Sequence, residues 1–150
     1  MKTFKRIACL ALALLLSFFA CTGAFAAEPR ASLYLSSYLA YCYPESDGSI
    51  SVWFEVIGTG TEEALGVLTI MVEEQAPGST SWDNVKTYMH QDYPELLSYN
   101  DDFHYGHIDC EDIVPGYSYR AYVTFWGGGL EVGDARYYTT EVVTALNPSN

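Results

Sequence analysis

His104 and His107 stand three residues apart, the spacing at which two imidazoles on one helical face can grip a metal ion. The run that carries them, Tyr99 to Ile108, is aromatic-rich and reads as a strand. On a strand, positions three apart point to opposite faces, so the pair cannot share a metal. His90 stands two residues before Asp92, a base close to an acid. No Gly-x-Ser-x-Gly elbow, no His-Glu-x-x-His helix and no unpaired cysteine accompanies them, so neither catalysis nor a cofactor is expected. The acidic runs Asp101-Asp102 and Asp109-Cys110-Glu111-Asp112 offer oxygen ligands to calcium but lack the spaced loop of a dedicated site, and they read as solvated charge.

The compartment decides what the cysteines do. Lys2, Lys5 and Arg6 form a basic start, Ile7 to Ala20 is almost unbroken apolar sequence, and Ala24-Phe25-Ala26 places small residues where a signal peptidase reads them. Residues 1–26 are therefore expected to be a signal peptide cleaved after Ala26, giving a secreted product that leaves the membrane. The apolar run is shorter than the ~20 residues of a membrane span. Lipidation at Cys21 is the alternative, and Phe18 fits its usual aliphatic position poorly. Cleavage removes Cys9 and Cys21 and leaves Cys42 and Cys110, which allow one pairing in an oxidising compartment. A structural disulfide is the expectation, over a catalytic or metal-binding use. It would close a loop of about 68 residues, worth roughly 4 kcal/mol in the chain-entropy description.

Charge narrows the partners. After position 26, Arg30, Lys86, Arg120 and Arg136 oppose all 19 acidic side chains, a net charge of −15. Nucleic acid and anionic membranes both need basic patches and are excluded as expected partners. The aromatic residues point elsewhere. All 13 tyrosines lie beyond the leader together with Trp53, Trp82 and Trp126, more than one small core readily hides.

Elements that could position these rings are strands. Ile50, Val52, Phe54 and Val56 recur with period two, and Trp53 falls out of phase with them. Ser32 to Tyr41 reads as an earlier strand, ended by the turn-rich Tyr43-Pro44-Glu45-Ser46-Asp47-Gly48. Leu65 to Gln75 and Trp82 to Met89 form a hairpin across Ala76 to Ser81. Tyr99 to Ile108, Tyr117 to Trp126 and Arg136 to Ala145 complete seven strands, with room for a short helical turn in His90 to Leu97. Seven short strands separated by Gly, Pro and Asp turns fit an all-β, seven-stranded antiparallel β-sandwich.

The run Ile113-Val114-Pro115-Gly116-Tyr117-Ser118-Tyr119-Arg120-Ala121-Tyr122-Val123 resembles the aliphatic-x-Pro-Gly-x-x-Tyr-x-x-x-Val signature of fibronectin type III domains, within the immunoglobulin-like sandwiches. The resemblance implies that Pro115 and Gly116 make the turn into the penultimate strand. It also implies that Tyr119 is a tyrosine corner, its ring in the core and its hydroxyl bonded to the backbone of that turn. Ala121, Val123 and Phe125 would follow it inward. In such a sandwich the turns that hold or adjoin Cys42 and Cys110 lie at one end, which is compatible with the ~7 Å limit on bridged Cα atoms. The leader, the Trp-containing hairpin and the Pro-Gly-Tyr-Ser-Tyr run also resemble small exported bacterial proteins of uncharacterised function, which implies no activity.

With Tyr119 to Phe125 alternating inward, Tyr122 and Trp126 project outward beside Arg120 and Thr124. Outward rings suit sugar stacking or a protein partner, although tyrosines also populate exposed strand faces without any ligand. The expectation is a flexible start (27–31), a sandwich domain (32–146) and a tail (147–150). Its role would be noncatalytic binding of extracellular carbohydrate or cell wall through Tyr122, Trp126 and Trp53. The alternative is a protein-interaction or self-assembly module using sheet edges.

Overall fold

The computed structural model describes residues 32–148. The expected leader (1–26), the segment 27–31, Cys9 and Cys21, and the last two residues of the tail lie outside the described residues. Among the described residues no helix is long and apolar enough to cross a membrane.

Among the described residues nine strands follow in order: β1 (Leu35–Pro44), β2 (Ile50–Glu62), β3 (Ala64–Gln75), β4 (Asp83–Met89), β5 (Leu97–Ser98), β6 (Asp101–Cys110), β7 (Ser118–Gly128), β8 (Gly133–Thr139) and β9 (Val143–Thr144). All pair antiparallel. One sheet has the order β1-β2-β6; the other has the order β4-β3-β7-β8, with β5 added to β3 and β9 to β7. The result is all-β and β-sandwich-like, with two strands more than expected.

Both extra strands have local causes. The expected strand Arg136 to Ala145 is interrupted at Thr140. There the Ala121 N–H donates to Thr140 Oγ1 (2.9 Å), while the Thr140 N–H donates to the Ala121 carbonyl (3.0 Å). A side chain replaces one rung of the ladder, and pairing with β7 resumes as β9. The other addition, β5, leaves a single 3₁₀ turn, Pro94–Leu96, which fills the place where a helical turn was expected. Pro94 starts this turn at no hydrogen-bonding cost, and Leu96 is fully buried beneath it.

Period-two alternation sets the core. Ile50, Val52, Phe54 and Val56 of β2 face Tyr119, Ala121, Val123 and Phe125 of β7, all at most 3% exposed. Tyr38 of β1 reaches across to Phe125, with ring centroids 5.2 Å apart. Each such large apolar side chain contributes about 1.5–3 kcal/mol through removal from water.

The expected disulfide is not formed: Cys42 and Cys110 are both buried free thiols. They occupy the outer strands β1 and β6 with β2 between them, Cys42 opposite Val52 and Cys110 opposite Ile50. Two strand spacings separate their Cα atoms by roughly 10 Å or more, beyond the ~7 Å limit for a bridge. Cys42 Sγ instead lies 3.2 Å from Thr140 Oγ1. Burial pushes both thiols above their usual pKa, which makes them poor nucleophiles.

Candidate functional site

Trp126 points outward near the end of β7, where three other segments converge on it. In β3 a bulge between Val67 and Thr69 inserts Leu68 as an extra residue, and β5 lays Leu97 against Gly66. The His90 N–H donates to the Leu68 carbonyl (3.0 Å), which ties the end of β4 to the bulge. The outcome is an open, largely apolar groove of about 210 Å³, lined by Leu68, His90, Leu97, Tyr99, Trp126 and Leu130 together with Ala64. Tyr99 and Leu130 are more than half exposed. On the strand beyond, Gly133 permits the close approach of the indole, since a Cβ there would meet Trp126 Cζ2 at 2.5 Å and the Gly127 carbonyl at 2.6 Å.

Further along the same outward face, Tyr122 stands opposite Met71 and Thr139 and is 40% exposed. Beside it the Arg120 guanidinium lies 5.0 Å from the Tyr122 ring and 4.2 Å from the Trp82 ring. Arg120 Nε and Nη2 both donate to Glu73 Oε2, at 2.9 and 2.8 Å. Tyr122 is thus held in a cation–π cluster, while Trp126 belongs to the groove.

Trp53 does not join them. It projects from the outer face of the other sheet, between Tyr41 and His107, and stacks on the His107 ring at 4.4 Å and 18°. The three expected ligand-binding rings therefore occupy opposite outer faces and cannot form one site.

Pro115 and Gly116 form a turn closed by the Tyr117 N–H donating to the Val114 carbonyl (3.2 Å), with Gly116 at φ +81°. That positive φ is the conformation glycine supplies in a Pro-Gly turn. The ring of Tyr119 is fully buried. Its hydroxyl accepts the Val114 N–H (2.8 Å) and donates to Glu74 Oε2 (2.8 Å). Its pKa is pushed up to about 12, first by burial and further by Glu74.

The histidines separate as strand geometry requires. His104 packs near Phe54 and its Nε2 meets the Glu95 carbonyl (3.0 Å), whereas His107 lies on the outer face. Among the described residues no three or more His, Cys, Asp or Glu side chains are placed to hold a metal ion. Asp101 turns its carboxylate to the Ser98 hydroxyl (2.9 Å) and its own following backbone, and these bonds lower its pKa. Asp109, Glu111 and Asp112 line an open flank groove with Lys86, Tyr93 and His107.

Sequence reasoning missed the partners of Trp126, because His90, Tyr99 and Leu130 come from three loops that only the β3 bulge and β5 bring together. A Gly66-Val67-Leu68 run within an apolar strand was the one local hint of a bulge. Compared with protein-family models, curated proteins and solved structures, the chain matches none.

Proposed function

We propose that this chain is an exported, noncatalytic binding module that takes carbohydrate at the Trp126 groove. On this reading residues 1–26 are its leader and residues 32–146 its working domain. The finer fold class is a fibronectin type III-like, immunoglobulin-like sandwich, a reading supported by the strand order of the two sheets and by the hydroxyl bonds of Tyr119.

The observation that carries the function is the groove itself. Trp126 and Tyr99 line it with two aromatic rings, the groups that stack on the apolar side of a sugar, and His90 adds a hydrogen-bonding side chain. Tyr122 extends the same outer face toward Arg120, so a chain of sugars has a second ring to meet. Trp53 has no part in this site, because it faces the opposite way.

Cosedimentation of the purified protein with insoluble cell-wall and plant polysaccharides, with and without calcium, tests the reading. Wild-type protein is expected in the pellet, and Trp126→Ala in the supernatant with an unchanged denaturation midpoint. Undiminished retention of Trp126→Ala on the polymer would sink the proposal.

A further inference from the structure

The outer face of β1-β2-β6 is the most aromatic exposed surface on the described part of the molecule. Cross-strand pairing arranges it in rows: Tyr43–Ser51–Asp109, Tyr41–Trp53–His107, Leu39–Glu55–Tyr105 and Ser37–Ile57–Phe103. Leu39, Tyr41, Tyr43, Phe103 and Tyr105 are between 41% and 65% exposed. A monomer that needs no partner seldom carries so continuous an apolar face.

The carboxylates of this face outnumber its bases: His107 Nε2 lies 3.7 Å from Asp109 Oδ2, and Lys86 of the other sheet lines the flank groove that both residues share. Glu55 lies within it, and Glu45 and Asp109 stand at its end. The Ser51 hydroxyl is 2.9 Å from Glu45 Oε1 and 2.6 Å from Asp109 Oδ1. One hydroxyl proton can serve only one of these oxygens, so two carboxylates converge on a single hydroxyl, with His107 Nε2 3.7 Å from the other oxygen of Asp109. Together with Trp53 and His107 they line an open groove of about 260 Å³. All three lysine and arginine residues among the described ones, Lys86, Arg120 and Arg136, belong to strands of the other sheet.

The other sheet shows what such a combination binds. There Arg120 lies over the Trp82 and Tyr122 rings with its donors on Glu73. Trp53, Glu45 and Asp109 line one groove as a comparable combination of flat ring and carboxylate; His107 stacks on the ring at 4.4 Å, and no arginine of this sheet is available to the groove. A guanidinium suits it better than an ammonium, because its plane stacks on an indole while its forked donors reach carboxylates.

We propose that the β1-β2-β6 face docks an arginine-bearing segment of a partner protein, with a guanidinium seated between Glu45 and Asp109 beside Trp53. A second copy of this chain is a poor occupant. Its residues 27–150 would bring a net charge of −15, and both Arg120 and Arg136 are already paired with acids, Glu73 and Asp134. The surface is separate from the Trp126 groove, so either proposal can fail alone.

The test uses a fluorescein-labelled peptide of alternating arginine and glycine, titrated with purified protein by anisotropy at physiological salt, with the lysine counterpart beside it. The arginine peptide is expected to bind more tightly than the lysine one. Tyr41→Ser combined with Tyr105→Ser, which leaves the charge unchanged, should weaken it about tenfold. Glu45→Gln should weaken it several-fold, while Tyr137→Ser on the other sheet and Trp126→Ala should leave it as in wild type. The proposal is overturned if wild type does not bind, or if Tyr41→Ser/Tyr105→Ser binds as wild type does, since attraction would then be charge alone. Retention on polysaccharide that depends on Tyr41 and Tyr105 would equally overturn it, by assigning the face to sugars.

Discussion

The phenol of Tyr119 joins three segments: its own strand β7, the Pro115-Gly116 turn through the Val114 N–H, and β3 through Glu74. Tyr119→Phe removes both bonds and is expected to cost about 1–3 kcal/mol, read from urea midpoints. The same residue sets an alkaline limit. An ordinary tyrosine titrates near 10, whereas buried Tyr119 is raised to about 12, so the folded state holds this proton more tightly than the unfolded chain does. The stability tied to it is complete below about pH 10 and is lost as pH rises from about 10 to 12. Burial raises Tyr88 as well, and its hydroxyl donates to the Asp109 carbonyl (3.0 Å). The urea midpoint of wild type should therefore fall steeply above pH 10, and that of Tyr119→Phe less so; equal slopes would refute the assignment. The bond between the Tyr119 hydroxyl and the Val114 N–H spans only five residues, so its partners lie within one short stretch of sequence. The stacking of Trp53 on His107 was not legible in the sequence, because it joins residues far apart in the chain and depends on sheet register.

At the scale of elements, β2 and β7 were readable because one face of each is wholly buried, so alternation appears directly in residue type. β1 was harder to read. It buries Ala40 and Cys42 yet exposes Leu39, Tyr41 and Tyr43, and its two faces do not differ in polarity. The break between β8 and β9 was illegible for a different reason: a threonine side chain that substitutes for a backbone rung leaves no period to detect. Thr140→Val keeps the shape but deprives the Ala121 N–H of its acceptor in a buried setting. A loss of about 1–3 kcal/mol is expected, with amide exchange at Ala121 accelerated more than elsewhere in β7. Exchange unchanged at that amide would show that the rung is dispensable. The β1 and β4 edges are not clean templates for pairing, since β1 carries a register shift near Leu35 and the β3–β4 pairing shifts near Val72. Such irregularities weaken edge-to-edge association, the alternative route to a protein partner.

Across the whole molecule, the surface outside the core is governed by charge. The described residues carry three cations, two of them in ion pairs, against a large acidic surplus. Like charges crowd the native state more than the expanded chain, and salt screens them over about 8–10 Å. The melting temperature at neutral pH should accordingly rise by several degrees between low salt and half-molar sodium chloride; a fall would mean that ion pairs such as Arg120–Glu73 outweigh the general repulsion. The sign of the charge was plain from composition. Its separation into a sheet with lysine and arginine and a sheet without them was not, because it depends on which strands pair.

Each tryptophan sits in a different chemical setting: Trp53 against an imidazole on one outer face, Trp82 under a guanidinium on the other, and Trp126 in the groove. None of these settings is shared by two indoles. The chain therefore carries three separately addressable optical reporters. Replacing any two by phenylalanine leaves an emission signal that belongs to one surface alone, so occupancy of the groove and of the β1-β2-β6 face can be followed in the same protein without attaching a dye.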